Sequence, residues 1–116
     1  MVVDKYHGEV YFLVMKLDEA AKQLEALGNP TRLAIYRFLI QHGHQGSPVG
    51  DVRKKLGIPA STLSHHIGKL VHAGLVTQER ESRTLYCKAD FKNMDVLMAF
   101  LVRNCCVEES CFKAVE

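Results

Sequence analysis

Three changes of rhythm along the chain predict a mainly α-helical domain that carries one small β-hairpin. Apolar residues recur at helical spacing from Leu17 to Val71, the period shortens over residues 75–89, and helical spacing returns from Met94 to Val102. The predicted order is four helices, a hairpin and a last helix. With 116 residues, 47% hydrophobic and 24% charged, the chain has the size of one domain and can bury a core without disulfides. No apolar run nears the roughly 18 residues that span a bilayer. The longest early run, Val10 to Met15, lacks the basic flank and cleavage site of a signal peptide. A cytoplasmic location is expected, with reduced thiols and no membrane partner.

Each element follows from local signals. Leu17, Ala20, Ala21, Leu24 and Leu27 mark a first helix that ends at Gly28-Asn29-Pro30. Pro30 and Thr31 open a second, with Leu33, Ile35, Tyr36, Leu39 and Ile40 as its apolar face, and Gly43 and Gly46 break it. A third runs from about Pro48 to Leu56, closed by Gly57 and Pro59. Ala60 or Ser61 begins a fourth, which turns Leu63, Ile67, Leu70 and Val71 inward before Gly74. Two short strands flank Glu81-Ser82-Arg83, with Val76, Leu85 and Tyr86 as apolar contacts. Met94, Leu97, Met98, Leu101 and Val102 then form the stripe of the last helix. Residues 1–14 are an N-terminal extension without a readable pattern, 15–104 the folded domain, and 105–116 a cysteine-containing tail.

Asp51–Leu56 and Ser61–His72, joined by a tight turn, have the proportions of a helix-turn-helix. The second helix leaves Ser61, Thr62, Ser64, His65, His66 and Lys69 facing outward. Hydroxyls and imidazoles can bond to base edges, and Lys69 can neutralise a phosphate. Arg80 and Arg83 flank the hairpin tip, where a wing would meet the DNA backbone or minor groove. Residues 51–83 hold six basic and three acidic side chains, an excess of +3 in a chain of net charge +2. A helical bundle with a polar face is the plain alternative, but it gives no reason for a hairpin directly after this helix. One such helix reads only a few base pairs, so a homodimer on successive major grooves of operator DNA is expected. The apolar last helix, with the first as companion, is the expected dimer surface; packing within the chain is the other use for that stripe.

Gly28-Asn29-Pro30-Thr31-Arg32-Leu33, then Ser61-Thr62-Leu63-Ser64-His65-His66-Ile67-Gly68-Lys69-Leu70, then Ala73-Gly74-Leu75-Val76 resemble the ArsR/SmtB family of winged helix-turn-helix repressors. The resemblance covers about residues 17–104. It implies a homodimer that binds inverted-repeat operators and leaves them when an inducer binds. It also implies DNA contact from Ser61, Thr62, Ser64, His65 and His66, with a wing around Arg80–Arg83. Many members have Gly at the wing tip, where this chain has Ser82.

Cys105, Cys106 and Cys111 lie within seven residues, and Cys87 stands apart on the second strand, where a half-buried side chain is expected. Three thiolates so close suit a soft, thiophilic ion. Neighbouring helical residues point about 100° apart, so convergence requires the chain to leave the helix after about Asn104. A pyramidal three-sulfur site for arsenite or antimonite fits such a loop, whereas tetrahedral zinc usually takes a fourth ligand. Free thiols, or a redox or persulfide sensor, are the competing readings, although residues 30–42 contain no Cys to pair with one on the last helix. Arsenic-responsive members of the resembled family often carry Cys-x-Cys at the start of the third helix, where this chain has Pro48 and Gly50. The zinc site on the last helix of other members is also missing, because residues 90–104 contain no His. A subgroup with a vicinal Cys pair and a third Cys beyond the last helix is similar to this chain, which implies Cys105, Cys106 and Cys111 as ligands. The expected function is an arsenic(III)-responsive repressor, with a thiol-sensing or other metal-sensing repressor of the same fold as alternative. Arsenite, antimonite or methylarsenite would be the inducer. An enzyme, such as a thiol reductase or arsenate-handling protein, is the rival from another class, but neither enzymatic activity nor a catalytic cofactor is expected: there is no Cys-x-x-Cys pair, phosphate-cradling Gly loop or paired carboxylate cleft. A metal buffer would use the tail but not the helix-turn-helix.

Overall fold

The computed structural model describes residues 15–103. It contains α1 (Leu17–Leu27), α2 (Pro30–Gln41), a 3-10 turn (Gly43–Gln45), β1 (Ser47–Pro48), α3 (Val49–Leu56), α4 (Ala60–His72), β2 (Val76–Glu81), β3 (Thr84–Ala89) and α5 (Phe91–Val102). The five helices and the hairpin are those that the periodicity predicts. Their ends are set by side chains. The Asn29 carboxamide oxygen accepts from the Arg32 amide at 3.0 Å, and Pro30, which has no N–H to satisfy, follows it at the first helical position. Asp90 caps α5 in the same way, accepting from the Asn93 amide at 2.9 Å.

The sheet is antiparallel in the order β1-β3-β2. β2 and β3 pair from Val76↔Ala89 to Glu81↔Thr84, which leaves Ser82-Arg83 as a two-residue turn. The third strand is an addition to the expected hairpin: Ser47 pairs with Cys87 and Pro48 with Tyr86. Two residues have no alternation to read, and the Pro sits on an edge, where its missing donor costs no ladder bond. Gly46 makes that pairing possible. Its φ is +71°, and a side chain there would run into the Cys87 carbonyl.

The main core joins Ile35 and Leu39 of α2, Val52 of α3, Leu63, Ile67 and Leu70 of α4, and Leu75, Val76 and Cys87. Cys87 is fully buried, not half-buried as expected, because its side chain lies within the core cluster with Ile35, Leu39 and Val52. Burial pushes its thiol pKa up, partly opposed by a hydrogen bond from Gln78. Such a thiol is inert. A second cluster, Met15, Ala20, Val96 and Leu97, packs α1 against α5.

The apolar stripes are only partly inward. On α1 the buried residues are Ala20, Gln23 and Ala26, whereas Leu17 and Leu24 are 72% and 42% exposed. Leu33 and Val71 also face outward. On α5, Leu97 is buried, but Met98, Leu101 and Val102 are 55%, 53% and 43% exposed. Helical spacing identifies a stripe without saying what lies against it.

At the wing tip, Ser82 has a φ of 61°. A left-handed backbone costs a side-chain-bearing residue about 1–2 kcal/mol, against a smaller entropic cost for Gly. Ser82→Gly is therefore expected to stabilise the fold by about 0.5 kcal/mol and raise Tm by roughly 2–4 °C in thermal denaturation. An unchanged or lower Tm would show that the tip is unstrained.

Candidate nucleic-acid interface

The turn between α3 and α4 is Gly57-Ile58-Pro59. Gly57 takes a left-handed φ of 65°, and the amides of Gly57 and Ile58 both donate to the Arg53 carbonyl, at 2.8 and 3.3 Å. The turn thus closes α3 and starts α4 within three residues. Leu63, Ile67 and Leu70 hold the inner side of α4 in the core. Ser61, Thr62, Ser64, His65 and Lys69 are consequently exposed together on the outer side. Those five stand where the sequence predicts them.

His66 does not stand with them. It is half-buried, and an Arg32 guanidinium nitrogen lies 3.3 Å from its Nδ1. Arg32 also donates from Nε to the Ala26 carbonyl at 2.6 Å, so one side chain joins the end of α1, the start of α2 and the recognition helix. Because a guanidinium can only donate, Nδ1 accepts and the imidazole proton sits on Nε2. Burial lowers the His66 pKa, and the charge of Arg32, then His65 and Lys69, lowers it further. Periodicity could not reveal this inward turn, since position 66 borders the buried face. Arg32 was visible only as part of Asn29-Pro30-Thr31-Arg32, with no role attached.

The wing leaves α4 through Ala73-Gly74-Leu75. Beyond Val76 every residue of β2 is exposed. Strand alternation places Glu79 and Glu81 on one face and Gln78 and Arg80 on the other. Lys88 pairs with Glu79, while neither Arg80 nor Arg83 forms an ion pair among the described residues. The wing therefore offers two unneutralised guanidinium groups at its tip.

Two carboxamides grip the turn that ends α4. Gln23 of α1 donates to the Ala73 carbonyl at 3.1 Å, and Asn93 of α5 donates to the Gly74 carbonyl at 2.7 Å. The two outer helices thus hold the recognition helix at its C-terminal end. Inside α4, Gly68 is exposed and nothing lies within 4 Å of where its Cβ would be. The fold does not need Gly there, and it costs about 1 kcal/mol relative to Ala.

Among the described residues no His, Cys, Asp and Glu cluster could hold a metal ion, and no helix is long and apolar enough to cross a membrane. Pro48 and Gly50 lie at the start of α3, as expected, and offer no ligand. Cys105, Cys106 and Cys111 lie outside the described residues.

The depressed His66 pKa carries a pH dependence. Below about pH 6.5, its ordinary value, the unfolded chain takes up the proton before the folded one does, so stability falls as pH falls. The His66→Gln variant is expected to lose Tm less steeply than wild type below about pH 6.5. Parallel declines would contradict a lowered His66 pKa in the folded chain.

Comparison with known proteins agrees with this geometry. A helix-turn-helix domain profile matches residues 27–79. The nodulation protein NolR of Rhizobium meliloti is 37% identical over 67 residues, 58% of this chain and 52% of NolR, so the match spans about half of that relative. The biofilm growth-associated repressor of Agrobacterium fabrum is 32% identical over 106 residues, covering 89% of this chain and 88% of the repressor. A solved structure, the homodimeric winged helix-turn-helix DNA-binding domain of Mb0332 from Mycobacterium bovis, a possible ArsR-family transcriptional regulator, is 27% identical. It matches with a TM-score of 0.60 over 76% of this chain and 82% of that one. With the exposed face of α4, the wing after it and these relatives, the chain belongs to the helix-turn-helix transcriptional regulators, and its winged fold is similar to that of ArsR-type members.

Proposed function

We propose that this regulator is an arsenic(III)-responsive repressor that binds operator DNA as a homodimer and releases it when Cys105, Cys106 and Cys111 capture trivalent arsenic. Ser61, Thr62, Ser64, His65 and Lys69 read bases and adjoining phosphates, with Arg80 and Arg83 on the backbone or minor groove. His66 supports the helix through Arg32 and can reach DNA only from Nε2.

The observation that supports the switch is the contact between α5, the helix that leads into the cysteine-bearing segment, and the end of α4. α5 ends at Val102, Arg103 has the non-helical dihedrals φ −58° and ψ 132°, and three thiols follow within the next eight residues. Three soft sulfurs are the donor set that trivalent arsenic takes in place of three hydroxyls, with loss of water. α5 carries Asn93, which holds Gly74 at the end of α4. Any shift of α5 therefore loads the recognition helix. Release requires only that arsenic bind better to the conformation that fits DNA poorly. A redox sensor using Cys87 is disfavoured by its full burial.

Dimerisation is supported by the outward stripes. Leu17 and Leu24 on α1, and Met98, Leu101 and Val102 on α5, are large apolar side chains on two helices already packed together. Covering such side chains is worth up to about 1.5–3 kcal/mol each. The related domain from Mycobacterium bovis is homodimeric.

Two outcomes test this reading. Leu101→Lys is expected to keep native helicity but to sediment as a monomer and bind an operator duplex at least about tenfold more weakly; a dimer of wild-type affinity would contradict the assigned surface. Cys105→Ser should bind the duplex like wild type and stay bound in arsenite, as read by gel shift. Release as complete as wild type would remove the tail from the mechanism, and release of wild type by peroxide but not arsenite would favour thiol oxidation.

A further inference from the structure

The outer face of α4 does not stop at its own edge. It continues into a groove of about 450 Å³ between α1 and α4. Lys22 of α1 lines it together with His65, Gly68, Lys69 and His72 of α4, and Glu25 is the one acid among the lining residues. All six are exposed. Neither Lys22 nor Lys69 forms an ion pair among the described residues.

We propose that this groove seats a phosphate of the DNA backbone beside the bases that α4 reads, with Lys22 and Lys69 as its cationic arms and Gly68 as the gap that lets the strand close on the helix. The proposal rests on the DNA-reading function above. Three observations carry it. His65 and Lys69 belong both to the base-reading face and to the groove, so an occupant of one is continuous with an occupant of the other. The charge is complementary, with two lysines and two imidazoles against one carboxylate. Gly68 weakens the helix although its Cβ would have open space, and an approaching backbone is a physical reason for a missing side chain at that point.

The placement also suits the docking geometry. A recognition helix contacts bases mainly through its N-terminal residues, so its later turns rise past the rim of the major groove, where a phosphate strand passes. Lys22 stands on a neighbouring helix at that rim. Contacts of this kind fix register on the duplex and carry no sequence information.

The test uses the full chain and a fluorescein-labelled duplex selected by wild type from a random pool. Fluorescence anisotropy is followed between about 50 and 250 mM salt. Lys22→Gln is expected to make the plot of log affinity against log salt shallower by about 1.8, the slope that two neutralised phosphates supply, one from each protomer of the dimer. It should weaken binding to the selected and a scrambled duplex by the same factor. Gly68→Ala is expected to raise Tm yet to weaken duplex binding about tenfold. An unchanged salt slope in Lys22→Gln, or undiminished affinity in a stabilised Gly68→Ala, overturns the phosphate seat while leaving the DNA-reading function intact. Should Gly68→Ala fail to fold, the Lys22→Gln slope decides alone. No binding of any duplex by wild type would overturn both.

Discussion

What the recognition face presents to DNA depends on how α4 is held. Leu63, Ile67 and Leu70 sink its inner side into the core, leaving its hydroxyls and His65 no direction but outward. Burial of those three side chains is worth about 1.5–3 kcal/mol each. The two ends are fixed differently. The Gly57 turn sets the angle of entry, and the carboxamides of Gln23 and Asn93 hold the exit. Midway, Arg32 ties the same helix to α1 and α2. A recognition helix restrained at these points has little freedom of its own, so its position on DNA follows the helices that grip it.

That constraint connects the dimer surface to the DNA surface. α1 and α5 pack on each other through Ala20, Val96 and Leu97, and both turn apolar side chains away from the core. The helices that would meet a partner are also those that supply Gln23 and Asn93. The spacing of two recognition helices and the orientation of each would then be set by one arrangement. In a repressor of this design, an inducer acting at the end of α5 need not touch α4. It needs only two arrangements of the gripping helices and a preference between them.

Much of this was legible in the sequence because the signals were local. Asn29-Pro30 announces a helix start by capping chemistry, Gly57-Ile58-Pro59 a tight turn, and the change of period at residue 75 a strand. Other features were hidden for physical reasons. On α1, Leu17 and Leu24 outrank Ala20, Gln23 and Ala26 in hydrophobicity, yet the smaller residues face the core because α1 lies close against its neighbours. β1 is two residues long and carries no period. The Arg32–His66 contact, the two carboxamides on the α4 exit and the groove at Lys22 join positions distant in the chain, and no spacing rule brings such positions together.

In the proposed switch, the tail and the recognition helix are two ends of one equilibrium. Linkage makes that coupling reciprocal: whatever factor arsenite takes from operator affinity, the operator must take from arsenite affinity. Calorimetric titration of arsenite into the wild-type protein, free and saturated with operator duplex, measures that factor directly. Arsenite is expected to bind the DNA-bound protein about tenfold or more weakly than the free protein. Equal affinity in the two titrations would contradict the coupling.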